Sequence, residues 1–191
     1  YEELKMRIVI EGCDGSGKST LAENLMEVLP SCFELMHMDK PKTGVDLGPM
    51  YYEGIEMPDV VWDRFFTSEL IYGSTLREEV NLSESDIKNL TMKMINNRFQ
   101  FIYLDPGIEA VINNHIDSFP GTVEELTSIY NAYRGAFCGG LLEHAAVWNV
   151  SEIILRVPVI HIDYTAGYDI SLIEQQLRHN EAVFYSARRV V

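Results

Sequence analysis

Cysteine is scarce and unpatterned in this chain. Cys13, Cys32 and Cys138 are odd in number and form no CxxC pair, which excludes a disulfide framework or a zinc site and implies a reducing, cytoplasmic setting. The histidines are scattered with no H-E-x-x-H spacing, and each reads as a surface or packing residue. No run of about eighteen apolar residues is present, so no membrane span is expected. The opening Tyr1-Glu2-Glu3-Leu4-Lys5 has neither the basic region nor the apolar core of a signal peptide, and Met6 is a candidate natural start. Repeats, low-complexity tracts and long linkers are missing as well. Positive charge is the most telling shortage: 15 lysines and arginines face 29 acidic residues, for a net charge of −14. A nucleic-acid partner normally meets a basic face, so that class is disfavoured and the acidity reads as solubility. An anionic ligand must then be held by a few local cations, which makes the place of each arginine informative.

Apolar residues, by contrast, make up 47% of the 191 positions, enough for one domain (1–191) with a real core. Gly12-Cys13-Asp14-Gly15-Ser16-Gly17-Lys18-Ser19 fits G-x-x-x-x-G-K-[ST] directly after the apolar Ile8-Val9-Ile10. That context predicts a strand, a tight loop and a helix starting at Lys18, with loop N–H groups and the helix N-terminus facing a polyphosphate together. Gly12, Gly15 and Gly17 let the backbone approach the phosphates with no Cβ in the way. In such a loop Lys18 reaches the β- and γ-phosphates and the Ser19 hydroxyl ligates Mg²⁺; Ser16 and Thr20 complete the nucleotide-binding stretch. Leu21, Leu25 and Leu29 then recur at helical spacing, with Glu23 and Glu27 off that stripe and Pro30 ending the helix.

Strands are expected at Arg7–Ile10, Phe33–Met38, Val60–Trp62, Phe101–Leu104 and Val159–Ile162, and helices near 19–29, 66–78, 84–97, 122–137 and 169–179. Thr122 with Glu125 has capping-box spacing, and Ser83 with Asp86 is a weaker version. Ile87, Leu90 and Met94 mark one buried helix face, and Leu126, Tyr130, Tyr133 and Phe137 another. Such alternation predicts a three-layer α/β fold: a central parallel sheet of about five strands, helices on both faces, and a ligand crevice at the strands' carboxyl ends.

A second constellation follows the third strand, in Val60-Val61-Trp62-Asp63-Arg64-Phe65-Phe66 and on to Tyr72-Gly73. A carboxylate ending a central strand lies beside the phosphate loop, where Asp63 can hold Mg²⁺ through water or orient a hydroxyl. Arg64 offers a planar fork suited to a phosphate. A strand-end salt bridge or helix cap is the alternative for this pair, and core packing for Phe65, Phe66 and Tyr72.

The stretch Glu11-Gly12-Cys13-Asp14-Gly15-Ser16-Gly17-Lys18-Ser19-Thr20 resembles the E-G-x-D-G-x-G-K-[ST]-T loop of the thymidylate kinase family, more broadly the deoxynucleoside monophosphate kinases, viral forms included. Asp63-Arg64-Phe65, with Ser68 and Tyr72 beyond it, is similar to that family's D-R-[YF]-x-x-S-x-x-x-Y motif. Ile160-His161-Ile162-Asp163-Tyr164-Thr165, followed by Asp169, resembles its last strand and the turn beside the adenine. The resemblance implies a P-loop kinase fold and transfer of the ATP γ-phosphoryl group, with Mg²⁺, to a deoxynucleoside monophosphate, a pyrimidine such as dTMP or dUMP. It implies that Asp14 contacts the acceptor's 3′-hydroxyl, that Arg64 holds the acceptor phosphate and that Asp63 serves the metal and the acceptor geometry. Tyr72 and Arg77 join the acceptor site, Arg77 as a second phosphate or base arginine; its alternative is an exposed helix cation paired with Glu78 or Glu79. A homodimer is compatible with this reading.

Two departures from the family pattern stand out. Cellular members carry a base-holding helix between the second and third strands, whereas the interval from His37 to Asp59 is short and rich in Gly and Pro, with Tyr51-Tyr52 its aromatic pair. An unusual pyrimidine is therefore an option. The lid region, about 105–121, should supply arginines, yet no Lys or Arg occurs from Asp105 through Tyr133. Arg134 is the first cation beyond it, one turn after Tyr130, and reads as a candidate catalytic arginine or as an ordinary exposed one beside a buried stripe. Two alternatives stay open: a P-loop kinase acting on a hydroxyl of DNA or a modified base, and a non-catalytic nucleotide-binding protein.

Overall fold

Alternation of side chains along the first strand sorts the core into two layers. The computed structural model describes residues 5–38, 44–115, 120–140 and 145–188. Strands β1 (Arg7–Glu11), β2 (Glu34–His37), β3 (Val60–Asp63), β4 (Phe99–Leu104) and β5 (Val159–Ile162) form a parallel sheet in the order β2-β3-β1-β4-β5. Ile8 and Ile10 face α1 (Lys18–Val28) and α8 (Ile170–Arg188), packing with Leu21, Leu25, Ile173 and Leu177. Val9 faces the other way, with Trp62, Phe99 and Phe101, beneath α2 (Gly48–Gly54), α3 (Phe66–Tyr72), α4 (Glu84–Asn96), α6 (Val123–Cys138) and α7 (Ala145–Ile154). Each fully buried leucine of α1 contributes about 1.5–3 kcal/mol. The Glu-Leu-Met-His sequence of β2 is mostly exposed, as suits an edge. Strand order reverses at β1, between β3 and β4, which opens the crevice above the phosphate loop.

The α/β architecture matches the sequence expectation, and the strands shift by only one or two residues. Ser83 and Thr122 cap α4 and α6, the latter with the full reciprocal box. Three helices were not anticipated: α2, α5 (Ile108–Asn114) and α7. In α2 the Gly and Pro that argued against a helix occupy permissive places. Pro49 sits in the first turn, where its missing N–H costs nothing, and at Gly54 a Cβ would stand 2.7 Å from the Trp62 ring. The interval between β2 and β3 thus does hold a helix, and Tyr51 is core rather than a base platform: it is 3% exposed and meets Phe65 edge-on at 5.3 Å. In α7 apolar residues on more than one face blur the helical period, since Trp148 is exposed opposite Val147, Val150 and Ile153. The helix expected at 66–78 narrows to α3 plus a π-helical turn, Gly73–Arg77. Of the lid region, α5 occupies the first part, while residues 116–119 lie outside the described residues. Among the described residues no helix is long and apolar enough to cross a membrane.

Candidate active site

Strand β1 delivers Glu11 to the carboxyl edge of the sheet, and residues 12–17 turn before α1 begins. Gly12 at φ 150° and Gly15 at φ 77° adopt backbone that disfavours a Cβ. A Cβ on Gly12 would meet the Leu104 carbonyl at 2.9 Å, and one on Gly15 the Val111 carbonyl at 2.5 Å, so the loop is held between β4 and α5. Gly17 lies against the ring of Tyr164, in the 3₁₀ turn after β5, and the Asn114 side-chain amide donates to the Tyr164 hydroxyl. The turn that resembled the adenine side of a kinase therefore touches the loop itself.

Lys18 is 6% exposed and its Nζ donates to the Cys13 carbonyl at 2.7 Å. Burial, reinforced by the charge of Arg64, brings this ammonium down to about 8. Ser16 Oγ is buried with no hydrogen-bond partner, a vacant group that a phosphate oxygen could satisfy. Ser19 and Thr20 are exposed in the first turn of α1.

The Ser19 hydroxyl donates to Asp63 Oδ2 at 2.7 Å, and His37 Nδ1 lies 3.0 Å from the same oxygen. Topology explains the meeting: β3 lies between β1 and β2, and His37 is in register with Asp63. Asp63 is 2% exposed and its Oδ1 is buried without a partner. An unsatisfied buried acceptor costs about 1–3 kcal/mol, so this oxygen favours a ligand. A hydroxyl and a carboxylate are the hard oxygen donors that Mg²⁺ takes, and the residues fit that ion. No group of three or more His, Cys, Asp or Glu side chains able to hold a metal occurs among the described residues. The remaining coordination positions would fall to water and phosphate, as is usual for Mg²⁺.

Arg64 leaves β3 in the left-handed region at φ 71°, rare for a non-glycine residue, while its N–H donates to the Ile10 carbonyl at 3.1 Å. Its guanidinium pairs with Asp14 Oδ1 and lies 5.2 Å from the Tyr72 ring centroid. The Tyr72 hydroxyl donates to Asp14 Oδ2 at 2.7 Å and accepts from the Asp14 N–H at 3.1 Å. Burial would raise the Asp14 carboxyl, but the charges of Arg64 and Lys18 and the Tyr72 hydroxyl outweigh it and hold the group below the usual range. Burial likewise opposes the charge of Arg64, and Tyr72 and Asp14 overcome it, so its pKa is raised.

Glu11 is the hub beneath this group. It is wholly buried and accepts from Ser68 Oγ at 2.7 Å, the Tyr133 hydroxyl at 2.9 Å, Thr67 Oγ1 and, at 3.4 Å, the Phe65 N–H. Burial pushes its carboxyl upward against those donors. Arg77 is not an exposed cation paired with Glu78 or Glu79. Its Nη2 donates at 2.5 Å to Glu69 Oε2, which is 2% exposed at the side chain, and Glu69 Oε1 accepts from the Asn81 N–H at 2.9 Å. The wide π turn carries Arg77 back over α3 to that partner. Arg134 is half-exposed, with Nε 3.2 Å from Asp105 Oδ2, and Asp105 Oδ1 accepts from the Tyr130 hydroxyl at 2.7 Å.

Lys18, Ser19 and Asp63, with Asp14, Arg64 and Tyr72 beside them, are thus brought together at one edge of the sheet, whereas Arg77 and Arg134 are tied to Glu69 and Asp105. Sequence reasoning missed the parts of Glu11, Thr67, Tyr133, His37 and Asp105. Glu11 and Ser68 stood inside the quoted motifs, but His37 is visible only once strand order is known.

No protein-family model matches the chain, and no curated protein matches it in sequence. Solved structures do match in three dimensions. The YorR protein of Bacillus subtilis, in complex with phosphorylated GDP, is similar at a TM-score of 0.69 and 18% identity, over 95% of this chain and 98% of that one. Deoxyadenosine kinase from M. mycoides with bound dATP is similar at a TM-score of 0.53 and 17% identity, over 91% of this chain and 100% of that one. With its parallel five-stranded sheet and its loop between β1 and α1, the chain has the fold of a P-loop nucleotide kinase.

Proposed function

We propose that the protein transfers the γ-phosphoryl group of ATP to a deoxynucleoside monophosphate, a pyrimidine such as dTMP. One observation carries the reading: Ser19 and Asp63 are hydrogen-bonded beside the buried Lys18, with the Asp14–Arg64–Tyr72 group next to them. In this mechanism Gly12, Gly15, Ser16, Gly17 and Thr20 cradle the nucleotide, and Lys18 places its charge on the β- and γ-phosphates. Ser19 and Asp63 would hold Mg²⁺, which would supply positive charge to offset that of the phosphates. Arg64 exchanges part of its contact with Asp14 for the acceptor phosphate, as its planar fork permits. Asp14 and Tyr72 receive the sugar, and Arg77 and Arg134 stand as further cations for the acceptor and for the moving group. The reaction is an in-line displacement in which little covalent chemistry falls to the protein, so placement and charge supply the rate.

A second reading rests on charge balance. Each candidate arginine already has a carboxylate: Arg64 with Asp14, Arg77 with Glu69, Arg134 with Asp105. A dianionic acceptor must compete for them, whereas a neutral hydroxyl acceptor, such as a nucleoside or a modified base in DNA, need not. The test is ADP formation by the wild type and Lys18→Ala across deoxynucleoside monophosphates, deoxynucleosides and a single-stranded oligonucleotide. Turnover of a pyrimidine monophosphate, lost in Lys18→Ala, supports the first reading. Preference for a nucleoside or the oligonucleotide selects the second, and no ADP with any acceptor leaves a nucleotide-binding protein.

A further inference from the structure

Helix α6 is fastened to the sheet by two tyrosine hydroxyls, and both bonds lie where the crevice opens. Tyr133 is fully buried, its ring stacked 6.4 Å from Tyr103 and 6.2 Å from Phe137. Its hydroxyl donates to Glu11 Oε2 at 2.9 Å and lies 2.7 Å from Ser68 Oγ. Tyr130, one turn earlier, donates to Asp105 Oδ1 at 2.7 Å. Glu11 is the last residue of β1 and leads into the phosphate loop. Asp105 follows β4 directly after Leu104, whose carbonyl crowds Gly12. The two carboxylates therefore end neighbouring central strands on either side of the loop's first glycine.

Arg134 follows Tyr133 in sequence. Its Nε takes the second oxygen of Asp105 at 3.2 Å, and its guanidinium lies 5.9 Å from the Tyr130 ring centroid. A free arginine side chain has many rotamers, and ordering it during reaction would slow the step. Here the helix is pinned on one side of Arg134 by Tyr133 and the guanidinium is held on the other by Asp105, so its position is set before substrate arrives. Charge fixed in place ahead of reaction is the form that stabilises a transition state most.

Building on the phosphoryl-transfer reading, we propose that Tyr133 and Asp105 are positioning residues for Arg134: Tyr133 fixes the rotation of α6 through Glu11, and Asp105 holds the guanidinium at the crevice. Neither touches the reacting atoms. A misplacement of about 1 Å in such a group can cost on the order of 100-fold in rate, so loss of either anchor should act on kcat and spare ATP affinity.

The experiment compares the wild type with Tyr133→Phe, Asp105→Asn and Arg134→Ala, and with the two double variants that pair each anchor with Arg134→Ala. It reads kcat and KM for both substrates, and the ATP dissociation constant by titration. Arg134→Ala should lower kcat by about 1,000-fold or more, the low end of the range known for such arginines. Each anchor variant should lower kcat by about tenfold with ATP affinity within about twofold, and in the Arg134→Ala background it should change kcat by less than about twofold. Additive losses in the double variants, or an unchanged kcat in Arg134→Ala, overturn the proposal. If Tyr133→Phe does not fold, Asp105→Asn, which keeps an acceptor for Tyr130, decides the matter alone. A wild type that turns over no acceptor overturns the transfer reading and this proposal with it, whereas an active wild type beside an unaffected Arg134→Ala overturns the proposal only.

Discussion

Nucleotide binding should draw a proton onto Lys18. The side chain is 6% exposed, and burial together with the charge of Arg64 moves its ammonium from 10.5 to about 8. At 1.36 kcal/mol per unit, the charged form is penalised by about 3 kcal/mol in the unliganded fold. The folded value lies below the unfolded one, so the penalty is present in full below about pH 8. It disappears as pH rises towards 10.5, an interval in which the unfolded chain binds more protons than the folded one. A polyphosphate in the loop favours the charged form and reverses the shift. Binding at pH 8 should therefore take up about half a proton, and at pH 7 about a tenth. Calorimetric titration with Mg-ATP in buffers of different ionisation enthalpy reads this number, and Lys18→Met should abolish it. The same variant escapes the burial penalty and loses about 1 kcal/mol with the bond to the Cys13 carbonyl. It should therefore be more stable than the wild type at pH 7 by about 2 kcal/mol, a Tm rise of about 4–8 °C. Proton release on binding at pH 8, or a Lys18→Met protein that melts below the wild type, would refute the reasoning.

Arg64→Lys keeps the charge and loses the planar fork, so monophosphate affinity should fall at least about tenfold with ATP affinity nearly unchanged, as read by titration with each ligand. Equal weakening of both would mark Arg64 as structural. Gly15→Ala puts a Cβ at φ 77° and 2.5 Å from the Val111 carbonyl; it should cost at least about 1–2 kcal/mol and lower Tm by about 2–8 °C in a thermal melt. Asp63→Asn removes the charge next to Ser19 Oγ and should raise the Mg²⁺ concentration for half-maximal ADP formation about tenfold or more; an unchanged Mg²⁺ dependence would remove Asp63 from the metal site.

Strong periodicity and short-range chemistry were legible in the sequence. The loop from Gly12 to Ser19, the capping box at Thr122 and the buried stripes of α4 and α6 each depend on residues close together in sequence. What escaped depends on tertiary partners. Helix α2 forms because Tyr51 packs on Phe65 and Gly54 admits Trp62, contacts that local propensity cannot report. For Arg77 the sequence offers an acceptor-site role or, as the alternative, a pairing with its neighbours Glu78 or Glu79, whereas the fold pairs it with Glu69 through a π turn. Glu11 stood in plain view as a motif letter. Its part follows only when α3 and α6 are folded over the end of β1, where the loss of water makes four donors necessary for one carboxylate. His37 and Asp63 meet because strand order places β2 beside β3.

The central claim, phosphoryl transfer to a deoxynucleoside monophosphate, is tested most directly by following the γ-phosphorus of ATP with ³¹P NMR in the presence of dTMP and Mg²⁺. Transfer moves the label into a β-phosphoryl resonance of a deoxynucleoside diphosphate, at a rate that collapses in Lys18→Ala. Appearance of the label only as inorganic phosphate, or an ATP spectrum that does not change with any monophosphate, would contradict it.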